Sequence, residues 1–288
     1  MKPILIHCHI FYPELWAELK QCILNIAPYP FDLFVTMVKE HPDIKKDILK
    51  SFPKAHFEIV ANRGYDIAPF IHILNKVDLD KYSYIVKLHT KRDVGPENLF
   101  RKMKGSLWRN NLLAPFKNHE IFEKYIRAFE ENPEIGMQAN YQVIVCHDIY
   151  DKKAKKALKK FLGKYHLPWL KYAFVGGTMF IVRARLFQPF KNLGLRLMDF
   201  PPPVVQQGAH LSQLAHVMER LFGYFVYYQN QIVLDSNVSI EDQKKFHSKI
   251  YLGHLIRPVI QFFWQKKVTK HGFLMVKILK IPVYRRKV

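Results

Sequence analysis

Asn62-Arg63-Gly64-Tyr65-Asp66 and, one helix-length later, Lys87-Leu88-His89-Thr90-Lys91 are the stretches that decide the fold. Each polar cluster ends a run with buried-strand character. Ala55-His56-Phe57-Glu58-Ile59-Val60 precedes the first, and Tyr82-Ser83-Tyr84-Ile85-Val86 precedes the second. Short β-branched and aromatic runs separated by a helical stretch predict a βαβ unit with parallel strands. Ligands of such sheets bind in the crevice beyond the carboxyl ends of the strands. The two clusters are therefore expected to face one site, rich in cationic donors and holding one carboxylate, which suits a phosphorylated ligand.

Outward from this core, residues 4–11 read as a first strand. Residues 13–27 read as a helix with Leu15, Leu19, Cys22, Ile23 and Ile26 at helical spacing. Phe31–Met37 reads as a strand, and Pro42–Ser51 as a helix with proline suited to its first turn. Ala68–Lys76 follows the first cluster as a helix. This alternation is the pattern of a nucleotide-binding half domain. Asp93-Val94-Gly95-Pro96 is a turn, His119–Asn132 a helix, and Ile135 opens another strand. Lys152–Lys164 is a very basic helix, and Phe174–Arg183 a strand containing the pair Gly176-Gly177. Pro201-Pro202-Pro203 is a rigid loop, and Leu211–Phe222 a helix carrying His216, Glu219 and Arg220. The expected fold is α/β, with a mostly parallel central sheet flanked by helices. One catalytic domain would occupy residues 1–240, divided near residue 115, and a basic, amphipathic, helical segment would occupy 241–288.

The chain has 288 residues, of which 49% are hydrophobic and 14% aromatic, so a large core is available. Lys and Arg number 45 against 24 Asp and Glu, a formal charge of +21 that implies an anionic partner. No recognised nucleic-acid module accompanies that charge, so a nucleic-acid partner is not expected. The three cysteines are unclustered, so neither a disulfide framework nor a zinc site is expected. His7-Cys8-His9 lies in an alternating strand and lacks metal-site spacing, which makes its histidines structural. Met1-Lys2-Pro3 leads straight into a strand without a signal-peptide pattern, and no run has the roughly 18 apolar residues of a membrane span. A cytoplasmic protein is expected. After Asp242 no acidic residue occurs, while aromatic and basic residues abound. That composition fits an anionic membrane interface, or else a packed helix pair with solvated lysines.

Taken together, Asn62–Phe70, Lys87–Lys91, Trp108-Arg109, Phe174–Phe180 and Ala215–Phe222 resemble the rhamnan synthesis protein F family of bacterial polysaccharide glycosyltransferases, over roughly residues 50–225. The resemblance implies a GT-A-like fold with a nucleotide-sugar-binding half and an acceptor-binding half. It implies transfer of a sugar, L-rhamnose from a dTDP donor among the possibilities, onto a lipid-linked surface glycan at the inner face of the cytoplasmic membrane. Two positions depart from the family pattern. Tyr65 stands where a second basic residue is usual, and Leu211-Ser212-Gln213 replaces an Asp-Gly-Thr.

The resemblance assigns Asn62, Arg63, Gly64, Asp66, His89, Thr90 and Lys91 to the nucleotide sugar. It assigns Trp108, Arg109, Gly176, Gly177 and Thr178 to the acceptor, and His216, Glu219 and Arg220 to catalysis. Where GT-A enzymes often hold a metal on Asp-x-Asp, this chain reads His89-Thr90-Lys91. A lysine repels a hard cation that prefers oxygen ligands, so Lys91, aided by Arg92 or Arg63, is expected to stabilise the leaving diphosphate without a metal or other cofactor. Asp66 is read as a ligand acceptor or a helix N-cap. The Gly176-Gly177 pair is either a close-approach site or a β-bulge. His216 and Glu219, at i and i+3, share a helical face, so His216 is either a Glu-oriented base or a core histidine, with His210 and Asp199 as fallback bases. A basic nucleic-acid-binding protein and a non-catalytic scaffold are the competing functions.

Overall fold

A computed structural model describes residues 2–92, 105–146, 152–203, 213–249, 264–268, 273–278 and 281–287. The chain parts into two compact units, Met1–Ser239 and Ile240–Val288.

In the first unit, strands β1 (Ile4–Ile10), β2 (Phe31–Met37), β3 (His56–Ile59) and β4 (Tyr84–His89) pair in parallel in the order β3-β2-β1-β4. Helices α1 (Trp16–Ile26), α2 (Pro42–Ser51) and α3 (Ile67–Lys76) connect them. Strand β1 is buried along its whole length, as a central parallel strand with both faces covered must be. The predicted apolar spacing of α1 holds: Leu19, Cys22, Ile23 and Ile26 are all buried. After α4 (Gly105–Leu113) comes α5 (His119–Glu131), which starts where the side chain of Asn118 accepts a hydrogen bond from Ile121 N at 2.8 Å. It buries Phe122, Tyr125, Ile126 and Phe129 along one stripe, each contributing about 1.5–3 kcal/mol by leaving water.

Strands β5 (Ile135–Gln138), β6 (Ile144–Val145), β7 (Phe174–Val175), β8 (Phe180–Arg183) and β9 (Ile232–Leu234), with helices α6 (Lys152–Lys164), α7 (Gln188–Asn192) and α8 (Leu214–Tyr228), complete the unit. The main sheet has seven strands in the order β3-β2-β1-β4-β8-β5-β9. Only β8 runs against its neighbours, so the sheet is α/β and mostly parallel, as the sequence predicts.

Three expectations are corrected. Phe174–Arg183 is not one strand, because Gly177 (φ +86) and Thr178 (φ +54) reverse the chain. Strand β7 pairs with β6 in a separate two-stranded sheet, while β8 enters the main one. The glycine pair thus marks a turn, not a bulge. Helix α8 runs on past Phe222 to Tyr228, because its apolar face continues through Tyr224, Phe225 and Val226, all buried. In the second unit only 240–249 is helical among the described residues. Strands β10 (Trp264–Val268), β11 (Phe273–Ile278) and β12 (Ile281–Lys287) form an antiparallel sheet there. β-Branched and aromatic residues recur in all three stretches, and they favour a pleated surface over a helix. Pro282 is accommodated because β12 is an edge strand. The turn at Asp93–Pro96, His210, Leu211 and Ser212 lie outside the described residues. Among the described residues no helix is long and apolar enough to cross a membrane.

Gly223 shows how tightly α8 sits on the chain entering β7. A Cβ built there would lie 1.9 Å from Ala173 O and 2.7 Å from Phe174 Cα, both backbone atoms that cannot swing away. Gly223→Ala is expected to cost about 3 kcal/mol or more and to lower the melting temperature by roughly 6–12 °C. Gly163→Ala in α6, where a Cβ meets nothing within 4 Å, should instead stabilise by about 0.5–1 kcal/mol. Thermal melts of the two variants check both signs.

Candidate active site

The strand registers align His7 with Phe34 and Lys87, and His9 with Thr36 and His89. Aligned residues of parallel strands share a face, so His7, His9, Thr36, Lys87 and His89 stand on one side of the sheet, toward the carboxyl ends of β1, β2 and β4. All five are buried. Helix α3 covers them: the Phe70 ring centre lies 5.3 Å from that of His7 and 5.5 Å from the Lys87 ammonium. The Thr36 hydroxyl lies 2.9 Å from both His7 Nε2 and His9 Nδ1. Having one proton, it can donate to at most one of the two rings.

Lys87 is the centre of this layer. Its ammonium donates to Asp66 Oδ2, to Thr178 Oγ1 at 2.9 Å and to Thr178 O at 3.2 Å, which gives all three protons an acceptor. The Thr178 hydroxyl in turn donates to Asp66 Oδ2 at 2.5 Å, and His89 Nδ1 stands 3.5 Å from the same oxygen. Asp66 occupies the N-cap position of α3, but its side chain makes no capping bond, because the carboxylate is turned toward Lys87. Asp66 Oδ1 has no hydrogen-bond partner among the described residues.

Burial alone would favour the neutral acid, yet His89 and Lys87, with hydrogen bonds from Lys87 and Thr178, hold the Asp66 carboxyl well below the usual carboxylate range. Burial pulls the Lys87 ammonium below its ordinary value, with Asp66 opposing. Burial, with Lys87 nearby, pushes His7 and His89 well below their ordinary range and His9 down to about 4. The layer is thus an ion pair, Lys87 with Asp66, beside imidazoles that burial holds below their ordinary range.

Above Asp66 opens a cleft of about 360 Å³, lined by Tyr65, Asp66, His89, Lys91, Gly177, Thr178, His216 and Glu219 among others. The first turns of α8 form its second wall. Glu219 Oε1 accepts from Gly177 N at 2.8 Å, and the His216 ring meets Tyr65 edge-on at 5.8 Å. Tyr65 (φ +57) and Thr178 (φ +54) both hold left-handed backbone, a conformation that costs a non-glycine residue on the order of 1 kcal/mol and clusters at functional sites.

Seven sequence candidates therefore meet in one cleft: Asp66, His89, Lys91, Gly177, Thr178, His216 and Glu219. Others hold the scaffold. Arg63 Nη1 donates to Phe200 O at 2.7 Å, and Gly64 (φ +57) donates to Pro201 O while a Cβ there would strike Ala68 and Phe200. Asn62 is exposed beside them. The Thr90 hydroxyl accepts from Phe11 N and Tyr12 N, both at 2.9 Å. Trp108 packs near Gly176 and Gly177, and Arg109 pairs with Glu18 at 3.1 Å. Arg220 is buried, donates to His216 O at 2.9 Å and lies over the Phe174 ring. Arg92 pairs with Glu14 on the surface, and Asp199 caps Arg196 N at 2.7 Å. Sequence reasoning placed Lys87 and Tyr65 in the two clusters without a role of their own, and read His7 and His9 as structural. Its available signal was a lysine inside the apolar run Ile85-Val86-Lys87-Leu88, since buried lysines are almost always paired.

The donor set does not fit a divalent cation. Among the described residues no three His, Cys, Asp or Glu side chains group to hold one. Asp66 already binds an ammonium, and Glu219 accepts from a backbone amide.

The family model for rhamnan synthesis protein F matches residues 1–231. The chain belongs to the rhamnan synthesis protein F family. That match reaches beyond the stretch spanned by the sequence motifs. The chain is 24% identical over 220 residues to an uncharacterized protein, WxcX, of Xanthomonas campestris pv. campestris strain B100, which covers 76% of this chain and 30% of that protein. The WxcX protein of strain ATCC 33913 aligns to the same extent. The chain thus spans under a third of these relatives' length. Two solved structures are loosely similar, each at 12% identity. They are a 4-diphosphocytidyl-2C-methyl-D-erythritol synthase from Anaerococcus prevotii (TM-score 0.37, covering 87% of this chain and 99% of that one) and a glucosyl-3-phosphoglycerate synthase from Mycobacterium tuberculosis (TM-score 0.32, covering 99% and 90%). Likenesses this loose carry no argument.

Two outcomes test the buried layer. Lys87→Met is expected to cost about 3 kcal/mol by stranding the Asp66 carboxylate, and adding Asp66→Asn should recover about 1 kcal/mol or more of it, in urea unfolding. The depressed histidines set a pH dependence. Below about pH 6.5 the unfolded chain takes up protons that the folded protein refuses, so stability is full above that pH and falls as pH drops toward 4. His9 alone accounts for about 3 kcal/mol across this window. Melting curves from neutral to acid pH should show the decline, and His9→Gln should flatten it.

Proposed function

We propose that the chain is a glycosyltransferase that binds a nucleotide-diphosphate sugar in this cleft and passes the sugar to a lipid-linked glycan in surface-polysaccharide synthesis. One observation carries the reading: beyond the carboxyl ends of β1 and β4, an ionised carboxylate with a free oxygen shares a cleft with Lys91 and with His216. Membership of the rhamnan synthesis protein F family supports the polysaccharide context, and L-rhamnose from a dTDP donor is the first sugar to test.

The residues divide the work. Asp66 Oδ1 accepts hydroxyl hydrogen bonds from the donor's ribose or sugar. Lys91 offsets the charge that develops on the departing diphosphate. The acceptor hydroxyl oxygen bonds to the anomeric carbon as the bond from that carbon to the diphosphate oxygen breaks. His216 takes the hydroxyl proton, and the nucleoside diphosphate leaves from the opposite face, inverting the centre. Glu219 keeps the Gly177 turn against α8, and so shapes the acceptor wall. Fixed cations do the work that a metal does elsewhere, since a divalent ion at Asp66 would sit beside the Lys87 ammonium, which repels it.

A thermal-shift panel of nucleotide sugars, with and without EDTA, tests the reading. One donor is expected to raise the melting temperature through mass action, equally in both conditions. Asp66→Asn and Lys91→Ala should each weaken it about tenfold or more, in line with lost charge-assisted bonds. His216→Ala should keep donor binding and slow transfer by roughly 10²–10⁴-fold. A panel without any shift would sink the proposal, and a shift that needs a divalent ion would sink its metal-free form.

A further inference from the structure

The most basic surface of the first unit is α6, which the site does not use. Seven of its thirteen residues are lysines, and residues 152–172 contain neither an acid nor an arginine. Ala154, Leu158 and Leu162, one turn apart, are buried and hold the helix to the body of the unit. Lys153, Lys156, Lys159, Lys160 and Lys164 point to solvent. The chain then turns back along α8, where Tyr224 donates to Pro168 O at 2.7 Å and the Tyr172 ring packs on Tyr224. That anchored stretch presents Trp169, 48% exposed, with the ammonium groups of Lys155 and Lys159 at 5.6 and 5.3 Å from its ring.

We propose that α6 and Trp169 form a docking face for an anionic lipid bilayer. The charge is complementary to acidic headgroups, and lysines near such a surface contribute individually and roughly additively. An indole held outward on a rigid segment is suited to the headgroup level, where its ring is half buried and its N–H stays wet. The lysine stems lie along the same level with their ammonium groups in water. Recognition of nucleic-acid phosphates and guanines favours the bidentate fork of arginine, and this face has none. Docking also has a consequence for the proposed reaction. Helix α6 packs on α8, so the helix that carries His216 and Glu219 would lie close to the membrane that holds a lipid-linked acceptor. Only that consequence rests on the proposed activity.

The test uses the full chain, because residues after 242 are also basic. Partition onto phosphatidylcholine vesicles with and without phosphatidylglycerol is measured by co-sedimentation at physiological ionic strength. Wild type is expected to bind only the phosphatidylglycerol vesicles, and Lys156→Ala/Lys159→Ala/Lys160→Ala to bind on the order of a hundredfold less. The charge-matched control Lys39→Ala/Lys46→Ala/Lys50→Ala, three exposed lysines elsewhere, should stay within about threefold of wild type. Brominated lipid should quench the wild-type fluorescence, and Trp169→Phe should remove that quenching. Circular dichroism melts confirm that each variant folds. The proposal is overturned if wild type ignores phosphatidylglycerol, if the α6 triple variant binds like wild type, or if both triple variants lose binding equally. It is also overturned if duplex DNA at matched salt binds tighter than the vesicles and depends on the α6 lysines. None of these outcomes alters the donor thermal shift, so the two proposals fail separately.

Discussion

The site depends on a charge that has no water. Lys87 sits in the middle of a central strand with no exposed surface, a place where an ammonium survives only if every proton is matched. Its acceptors come from two separate segments, Asp66 at the start of α3 and Thr178 in the turn before β8. One buried cation therefore dictates where both segments lie against the sheet. A methionine would fill the space but would leave the two segments without a common anchor. Such a pair adds little net stability over a well-packed apolar replacement, and its value is geometric.

The first half of the fold was legible because β1, β2 and β4 are short runs rich in apolar residues, and helices with apolar residues at helical spacing lie between such runs. The cleft at their carboxyl ends follows from that topology alone. What the sequence concealed is which polar side chains are engaged by the chain itself. Arg63 and Thr90 have the side chains of phosphate and hydroxyl binders. In the structure Arg63 ties down Phe200, and Thr90 closes the Phe11-Tyr12 amides. A guanidinium donates equally well to a carbonyl or a phosphate, so residue type cannot separate the two uses. Only the position of Phe200, far along the chain, decides between them.

Lys87 and the Gly176–Thr178 turn were hidden for a related reason. Lys87 reads as the head of a polar cluster beyond a strand end, whereas it stands inside β4. Its true partner, Asp66, is not its sequence neighbour. The run from Phe174 to Arg183 is apolar on both sides of its glycines, and pattern alone treats it as continuous. The left-handed Gly177 and Thr178 break it, and the resulting turn is what reaches back to Lys87.

The same turn links the two walls of the cleft. Glu219 on α8 accepts from Gly177 N; the next residue, Thr178, donates to Asp66 and accepts from Lys87. Asp66 opens α3, which packs against α8 in the core through Phe70 and Phe222 at 5.5 Å. The polar chain above and the aromatic contact below close a loop of interactions around the cleft floor. A change in the tilt of α8 must then move either the turn or Asp66, because neither can give up its buried partners cheaply. Asp66 and His216 thus sit on one rigid frame. Their separation is set by packed core and matched hydrogen bonds, which is the condition under which bound groups are held at a fixed geometry.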